Sequence, residues 1–259
     1  MQQYTTRAPI SHQVPVLAWH YTVGMKLPLI RESGVIKPTD VYIEPDERPV
    51  SWWSTNPYWE PTSAKGLATG GESRTLSMQE NAEMGEGLYR FGLSVSALIR
   101  WPEIGKRAGI RAPMRNALMR VGRKQGSDPA QWYGTFHEIP IQGLIFQQLI
   151  DFRYWATKER IAHREQQLAQ IALYEVKVRT IPVSELRGDA KERVNHIRHR
   201  GTPYHKLLEK YDAGDKAILS AIRSRVYRAI SATYPELTEE CDRQLVERQN
   251  GEATVNLTN

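Results

Sequence analysis

Two short segments near the N-terminus each place aromatic and hydroxyl side chains at the end of an apolar run. The first is WHYT, residues 19–22, and the second is WWST, residues 52–55. Aromatic rings exclude water and stack on flat ligands, and hydroxyl groups both donate and accept hydrogen bonds. If the two strand ends converge, they form a cleft lined by aromatic and polar groups. The alternative is a structural His–Tyr pair and a Ser–Thr turn.

A third segment, QWYGTFHEIPI at residues 131–141, alternates and predicts another strand. Glu138 lies on the same predicted strand face as Phe136. A carboxylate that is fixed in a dry site stabilises a positive charge that develops during a reaction. The alternative is that Glu138 faces solvent from an edge strand.

The residues between these motifs predict the elements that position them. Residues 14–21 and 49–55 are expected to form buried strands, and residues 25–33 a helix that ends at Gly34. Residues 56–86 are rich in Gly, Ser, Thr and Asn, and they predict a long loop with one short helix.

The C-terminal part of the chain has a different pattern. Residues 157–173 predict an amphipathic helix, residues 174–186 alternate and predict a strand, and residues 187–235 are basic and mostly helical. We therefore predict an α+β fold with two parts, a core over residues 1–156 and a mostly helical, basic region over residues 157–259.

The chain contains 35 Lys and Arg residues and 29 Asp and Glu residues, and this excess of positive charge favours acidic partners such as nucleic acid. Residues 102–125 are strongly basic and predict a short helix whose apolar seam is Met114, Leu118 and Val121. The residues expected to contact nucleic-acid phosphates are Arg111, Arg115, Arg120, Arg123, Lys124, Arg198 and Arg200. The alternative is that these side chains decorate solvated helix faces.

Composition excludes several classes of protein. Cys241 is the only cysteine, so an intrachain disulfide framework and a multi-cysteine metal site cannot form. No apolar run reaches the ~20 residues that cross a bilayer, and the N-terminal residues do not have the pattern of a secretory signal. We expect a cytoplasmic protein that has no membrane partner and binds no metal.

The order of the motifs carries a resemblance. WHYT is followed by L..I..SG.I.P, then by V.W.ST and WE.T, and this pattern resembles the ADP-ribosyltransferase superfamily, most of all its bacterial and phage members. The resemblance covers residues 14–156. It implies a split, mixed or antiparallel β core, NAD as a substrate, and transfer of ADP-ribose to a macromolecule.

In that superfamily a first strand offers His or Arg to the nicotinamide ribose, and a later strand supplies a catalytic Glu. On this chain the resemblance gives His20 the contact to the ribose or the diphosphate and gives Glu138 the catalytic role. Tyr21 or Trp53 would stack on the nicotinamide, and Thr22 would bond its carboxamide. The other residues of the implied NAD pocket are Ser54, Thr55, Trp59 and Glu60.

Two departures leave parts of this assignment open. Glu60 is a rival carboxylate, because it directly follows Trp59 at the start of the long loop. Phe136 stands two residues before Glu138, where arginine-modifying members often carry Glu or Gln, and this argues against arginine as the acceptor.

These observations predict an NAD-dependent ADP-ribosyltransferase that modifies nucleic acid or protein, with the loop over residues 56–86 recognising the acceptor. The resemblance further implies a phage or bacterial factor, such as a toxin that targets a host or a defence component. The alternative is a nucleic-acid- or protein-binding module on a transferase-like core that has lost its activity.

Overall fold

The computed structural model describes residues 16–41, 43–69, 72–181, 188, 192 and 202–235. These residues form an α+β arrangement with an open, mostly antiparallel sheet and seven α-helices. The chain divides into two compact units, residues 1–148 and 149–259, which we call the N-terminal unit and the C-terminal unit.

The main sheet has the strand order β11-β10-β6-β1-β3-β8-β7, and β2–β9 and β4–β5 form two small ladders. The first six strands are β1 (Leu17–Val23), β2 (Val35–Ile36), β3 (Ser51–Ser54), β4 (Gly66–Thr69), β5 (Glu72–Thr75) and β6 (Leu88–Ser94). The others are β7 (Ile99–Arg100), β8 (Trp132–Thr135), β9 (Ile139–Pro140), β10 (Ile145–Ile150) and β11 (Tyr154–Thr157).

The helices are α1 (Leu27–Ser33), α2 (Met78–Met84), α3 (Glu103–Arg107), α4 (Ala112–Lys124), α5 (Lys158–Thr180), α6 (Thr202–Glu209) and α7 (Ala213–Thr233). The predicted first helix is confirmed. Its end is set by Gly34, which has a φ of 70° and donates its N–H to the carbonyl oxygen of Ile30.

Strand pairing determines which side chains share a face of the main sheet. Trp19 pairs with Ser54 in β3 and with Gly92 in β6, whereas His20 pairs with Phe91. Paired residues lie on one face, and successive residues of a strand point to opposite faces. We call these two sides the His20 face and the Trp19 face.

Each face is covered by its own apolar cluster. The cluster on the His20 face consists of Ala18, Leu27, Ile36, Trp53 and Phe91. The cluster on the Trp19 face consists of Val50, Trp101, Ile104, Ala108, Ile110 and Trp132. Residues of α1 and β2 therefore pack on one side of the sheet, and residues of α3 pack on the other.

The predicted strand over residues 131–141 is interrupted in the structure. β8 ends at Thr135, and the following strand, β9, pairs with β2 in a separate ladder. The backbone N–H of His137 donates to the hydroxyl of Thr135 at 3.1 Å, and this contact turns the chain. Glu138 therefore lies just after a bend and not within a strand, which corrects the sequence-based expectation.

The long loop predicted over residues 56–86 contains more regular structure than expected. It includes a 3₁₀ turn at Pro61–Ser63, the β4–β5 hairpin and the helix α2. α2 begins with a capping box, in which the Ser77 hydroxyl accepts from the Glu80 N–H and the Glu80 carboxylate accepts from the Ser77 N–H.

The predicted strand over residues 174–186 is wrong over its described part, because α5 continues to Thr180. Residues 182–187 lie outside the described residues. Leu168, Ala172 and Glu175 are buried at spacings of four and three, which is the period of a helix and not of a strand. The alternating apolar residues after Tyr174 imitate a strand, but the tertiary contacts of α5 select the helix.

The C-terminal unit is built on α5, α6 and α7. Its buried core contains Leu168, Ala172, Tyr204, Ile218 and Ile222. Asp215 of α7 is buried and accepts hydrogen bonds from Arg164 at 2.7 Å and from Arg160 at 2.8 Å. The hydrogen bond from Arg164 is the main reason that the pKa of Asp215 falls to about 2, and Arg160 lowers it further.

The helix α4 packs by a side that the sequence did not indicate. A Cβ atom at Gly122 would lie 2.5 Å from the indole of Trp132, so the missing side chain lets the ring approach the helix backbone. The predicted apolar seam of Met114, Leu118 and Val121 is exposed instead. Close contact at Gly122, rather than the apolar stripe, therefore sets how this helix is rotated.

Replacement of Gly122 by Ala is expected to lower the free energy of unfolding by about 1–3 kcal/mol, because the new methyl group collides with Trp132. This loss exceeds the roughly 1 kcal/mol that Ala gains over Gly in a helix. Urea denaturation measures the change. Gly66→Ala is a control, since the carbon added there would lie 3.9 Å from the carbonyl oxygen of Arg74 and meet no clash, and equal losses in both variants would contradict the packing argument.

Candidate functional site

His20 lies half-buried on the central strand β1, with its ring centroid 5.5 Å from that of Trp53. Its Nδ1 is 3.0 Å from the carbonyl oxygen of Trp52. A carbonyl oxygen only accepts hydrogen bonds, so Nδ1 carries the proton and Nε2 of the neutral ring is an acceptor. His20 is therefore oriented as a hydrogen-bond acceptor for a hydroxyl or amide group of a ligand.

The protonation of His20 is governed by its surroundings. Burial lowers its pKa from 6.5 to about 4, the hydrogen bond to the Trp52 carbonyl opposes this shift, and the charge of Lys65 adds to it. The imidazole is consequently neutral at physiological pH. A neutral ring can accept a hydrogen bond at Nε2, but it cannot serve there as an acid.

Three other predicted NAD-pocket residues accompany His20. Thr22 lies on the His20 face, two positions further along β1, and it is buried. Trp53 is only 2 % exposed, so it supports the imidazole from within the core and has no open ring face for a ligand. Thr55 follows β3, is half-buried, and donates its N–H to the carbonyl oxygen of Gln131 at 2.9 Å.

Tyr21 and Trp59 lie together on the Trp19 face, opposite to His20. Their rings meet edge to face with centroids 5.2 Å apart, and the Tyr21 hydroxyl donates to the carbonyl oxygen of Asn56 at 2.6 Å. Burial raises the pKa of Tyr21 to about 12, although the nearby Arg90 lowers it. Tyr21 is thus a neutral phenol whose hydroxyl is held by the protein.

Arg90 is a buried charge that sequence reasoning missed. Its guanidinium lies 3.8 Å above the ring of Trp19 and donates two hydrogen bonds to the Gln147 side chain and one to the carbonyl oxygen of Pro57. Burial is the first cause that lowers its pKa to about 10, so it stays charged at neutral pH. The sequence signal for Arg90 was a charged residue at an inward-facing position of the alternating segment GLYRFGL.

Glu60, the rival carboxylate, is 5 % exposed and fully engaged by protein donors. One oxygen accepts from the Ser54 hydroxyl at 2.8 Å. The other accepts from the Thr62 hydroxyl at 2.7 Å, from the Thr62 N–H at 3.3 Å and from the Ser127 hydroxyl. These contacts join the end of β3 to the following turn and to the segment after α4, which makes Glu60 a structural anchor.

Glu138 lines a separate cleft of about 420 Å³ in the N-terminal unit, a size that suits a small ligand or one group of a larger one. The cleft is formed by Lys37, Pro38, Asp40, Arg48, Pro49, Phe136 and Glu138. The Arg48 guanidinium lies 3.8 Å above the Phe136 ring. The cleft thus offers two cations, two carboxylates and an aromatic ring.

The predicted NAD-pocket residues therefore fall into three groups. His20, Thr22 and Trp53 share one face of the sheet, and Tyr21 and Ser54 lie on the other. Glu138 stands at the cleft beyond β8, but its neighbour Ile139 packs on the same apolar cluster as Trp53. The lining of the cleft does not include His20, so the structure does not bring the predicted catalytic pair together there.

The residues predicted to bind nucleic acid differ in their exposure and in their contacts within the protein. Arg115 is half-buried and donates to the carbonyl oxygen of Ile110, so it holds the start of α4. Arg111 is exposed and lies 3.5 Å from the Asp46 carboxylate. Arg120, Arg123 and Lys124 are exposed on α4. Arg198 and Arg200 lie outside the described residues.

Within the described ranges, no three His, Cys, Asp or Glu side chains converge so that they could hold a metal ion. None of the described helices is both long and apolar enough to cross a membrane.

Comparison of the chain with protein-family models, with curated proteins and with solved structures finds no match. Its function is therefore inferred from its own residues and their arrangement.

The burial of His20 predicts a specific dependence of stability on pH. The unfolded chain binds a proton at His20 near pH 6.5 and the folded chain only near pH 4, so acid favours unfolding between these values. Relative to His20→Gln, the wild type should lose about 2–3 kcal/mol of unfolding free energy between pH 7 and pH 4.5. Urea denaturation of the wild type and of His20→Gln at the two pH values measures this, and an equal dependence on pH in the two proteins would contradict it.

Replacement of Glu60 by Ala is expected to cost about 2–4 kcal/mol of unfolding free energy, because Ser54, Thr62 and Ser127 lose their shared acceptor. The exposed Glu32→Ala is the control and should change stability by less than about 0.5 kcal/mol. Thermal and urea denaturation provide the comparison. A Glu60→Ala protein as stable as the control would contradict the role of Glu60 as an anchor.

Proposed function

We propose that the protein transfers ADP-ribose from NAD to a macromolecular acceptor. The observation that carries the proposal is His20, a neutral imidazole fixed by the Trp52 carbonyl on a central strand, with Nε2 left as an acceptor. A ribose hydroxyl is a donor that fits this acceptor. The motifs WHYT and WWST, which resemble those of ADP-ribosyltransferases, lie on the adjacent strands β1 and β3.

The proposed reaction breaks the bond between nicotinamide and the ribose carbon C1′. The bonding electrons leave with nicotinamide, which departs as a neutral base, so no strong general acid is required. The ribose passes through an oxocarbenium-like state, as in glycoside cleavage. A nucleophilic atom of the acceptor then bonds to C1′ and loses its proton to solvent or to a nearby base.

The residues have distinct roles in this proposal. His20 orients the ribose, and Thr22 lies on the same side of the sheet. Glu138 lies in a separate cleft, and the proposal requires the substrate to reach that cleft, where the carboxylate stabilises the positive charge on the ribose. Ser54 and Glu60 hold the end of β3 and do not touch the substrate, because their hydrogen bonds are made within the protein. The finer assignment of the fold as ADP-ribosyltransferase-like is part of the same proposal.

The test is release of nicotinamide from NAD by the purified protein, alone and with DNA, RNA or cell lysate. Glu138→Gln should reduce the rate by about a hundredfold or more, because a charge-stabilising group is lost at the transition state. His20→Asn, which can still donate to the Trp52 carbonyl but has no acceptor at the place of Nε2, should also reduce the rate.

Glu32→Gln is the matched control for Glu138→Gln, since Glu32 is an exposed carboxylate on α1 and should leave the rate unchanged. Denaturation curves must show that all variants are folded. If the folded wild type releases no nicotinamide with any acceptor source, or if Glu138→Gln retains the full rate, the proposal is wrong.

A second function is favoured by the exposed cations of α4. Arg120, Arg123 and Lys124 lie on a helix without a single acidic residue. In this alternative the protein is a nucleic-acid- or protein-binding module on an inactive core. Binding that weakens strongly with salt, together with no consumption of NAD, would favour it.

A further inference from the structure

The outward surface of α4 combines two features that rarely occur together on a solvated helix. Met114, Leu118 and Val121 form an apolar stripe at spacings of four and three, and they are 49 %, 40 % and 51 % exposed. Lys124 lies next to Val121 at a spacing of three, and Arg120 and Arg123 extend a cationic edge from Lys124 around the helix, away from the stripe. We call the stripe and the edge together the α4 surface.

The charge of the cationic edge is available to a partner. Within the described part of the chain, Arg120, Arg123 and Lys124 make no ion pair, whereas Arg107 is held by Glu103 and Arg111 by Asp46. Helix α4 itself, APMRNALMRVGRK, contains no acidic residue. A surface of this kind attracts a chain of negative charges.

The segment that leads into α4 contacts the loop that helps to form the cleft of Glu138. The N–H of Arg48, a cleft residue, donates to the carbonyl oxygen of Ala108 at 2.8 Å, just before α4 begins. Asp46, on the same loop, contacts Arg111 at the start of α4. Two cations of the cleft, Lys37 and Arg48, therefore lie toward the first turn of α4, and the cationic edge lies at the other end of the helix.

We infer that the α4 surface binds single-stranded nucleic acid, with phosphates on the cationic edge and bases on the apolar stripe. Single strands have unstacked bases whose faces need apolar cover, whereas the bases of a duplex are already stacked. A strand that extends along α4 from its last turn to its first turn would approach the cleft of Glu138, and we assign this strand as the acceptor for ADP-ribose, an assignment that rests on the proposed function. The binding itself does not depend on NAD.

An anionic membrane is the competing partner, and the observations favour it less. Helices that lie in a membrane interface commonly bury Trp, Phe or Leu along a wide apolar face. The apolar stripe is narrow, and the cleft near the first turn of α4 holds the carboxylates of Asp40 and Glu138. A cleft with charged groups and the Phe136 ring is better matched to a nucleotide than to a lipid tail.

Fluorescence anisotropy with a labelled DNA or RNA strand of about 20 nucleotides tests the inference, with a duplex of the same sequence as comparison. The variant Arg120→Gln, Arg123→Gln and Lys124→Gln should bind the strand at least about tenfold more weakly. Its slope of log affinity against log salt should fall by about 2, because three phosphate contacts are removed.

The matched control carries Lys206→Gln, Lys210→Gln and Lys216→Gln, three exposed lysines of the C-terminal unit with the same total change of charge. It should retain the affinity of the wild type. Leu118→Ser with Val121→Ser should weaken binding of the strand about five- to tenfold with no change in the salt slope. These substitutions are at exposed positions, and denaturation curves confirm that each variant is folded.

The inference is overturned if the protein does not bind the strand, if it binds the duplex equally well, or if it binds only phosphatidylserine vesicles. It is also overturned if the triple variant of α4 and the triple lysine variant of the C-terminal unit lose the same affinity. Nicotinamide release is measured on the same preparations. Release without binding of the strand refutes this inference and keeps the transferase, whereas binding without release keeps the binding surface and refutes both the transferase and the role of the strand as acceptor.

Discussion

Side-chain alternation along β1 sends His20 and Thr22 to one face of the main sheet and Trp19 and Tyr21 to the other. Because Trp19 is opposite Ser54, the same alternation separates Ser54 from Trp53 on the neighbouring strand. Residues that are adjacent in the motifs WHYT and WWST therefore have different surroundings. One face presents a neutral imidazole backed by Trp53, and the other encloses the buried charges of Arg90 and Glu60.

Those buried charges explain why the segment after β3 is held against the sheet. A charge that leaves water must be hydrogen-bonded, or it costs several kcal/mol. Arg90 reaches the carbonyl oxygen of Pro57, and Glu60 collects donors from Ser54, Thr62 and Ser127. The segment that follows β3 is consequently tied to the sheet at both charges. Its hydroxyl groups act in this structure as donors to Glu60, and not as contacts for a ligand.

The basic side chains differ in whether an acidic group of the protein neutralises them. In the C-terminal unit Arg160 and Arg164 are held by Asp215, and Arg225 lies 3.0 Å from Glu165. In the N-terminal unit Arg115 holds a carbonyl oxygen of its own turn, but the last turn of α4 presents exposed cations beside an exposed apolar stripe. Counting basic residues in the sequence does not distinguish these cases, because ion pairs join residues that are far apart in the chain.

The sequence by itself determined the α+β class, the first helix with its Gly34 end, and the strands that carry WHYT and WWST. Each depends on local periodicity or on the φ angle of one glycine. It did not determine the break after Thr135, the length of α5 or the rotation of α4. A hydroxyl contact, helical burial and the close approach of Trp132 to Gly122 decided these.

The candidate site was likewise determined partly by the sequence and partly by the tertiary structure. The sequence identified His20 and Glu138 as the groups able to do chemistry, but only the pairing register assigned each residue to a face, and only packing revealed Arg90 and the cleft beside Arg48. The physical reason is that a period of two identifies alternate residues, whereas the choice of buried face depends on contacts between distant strands.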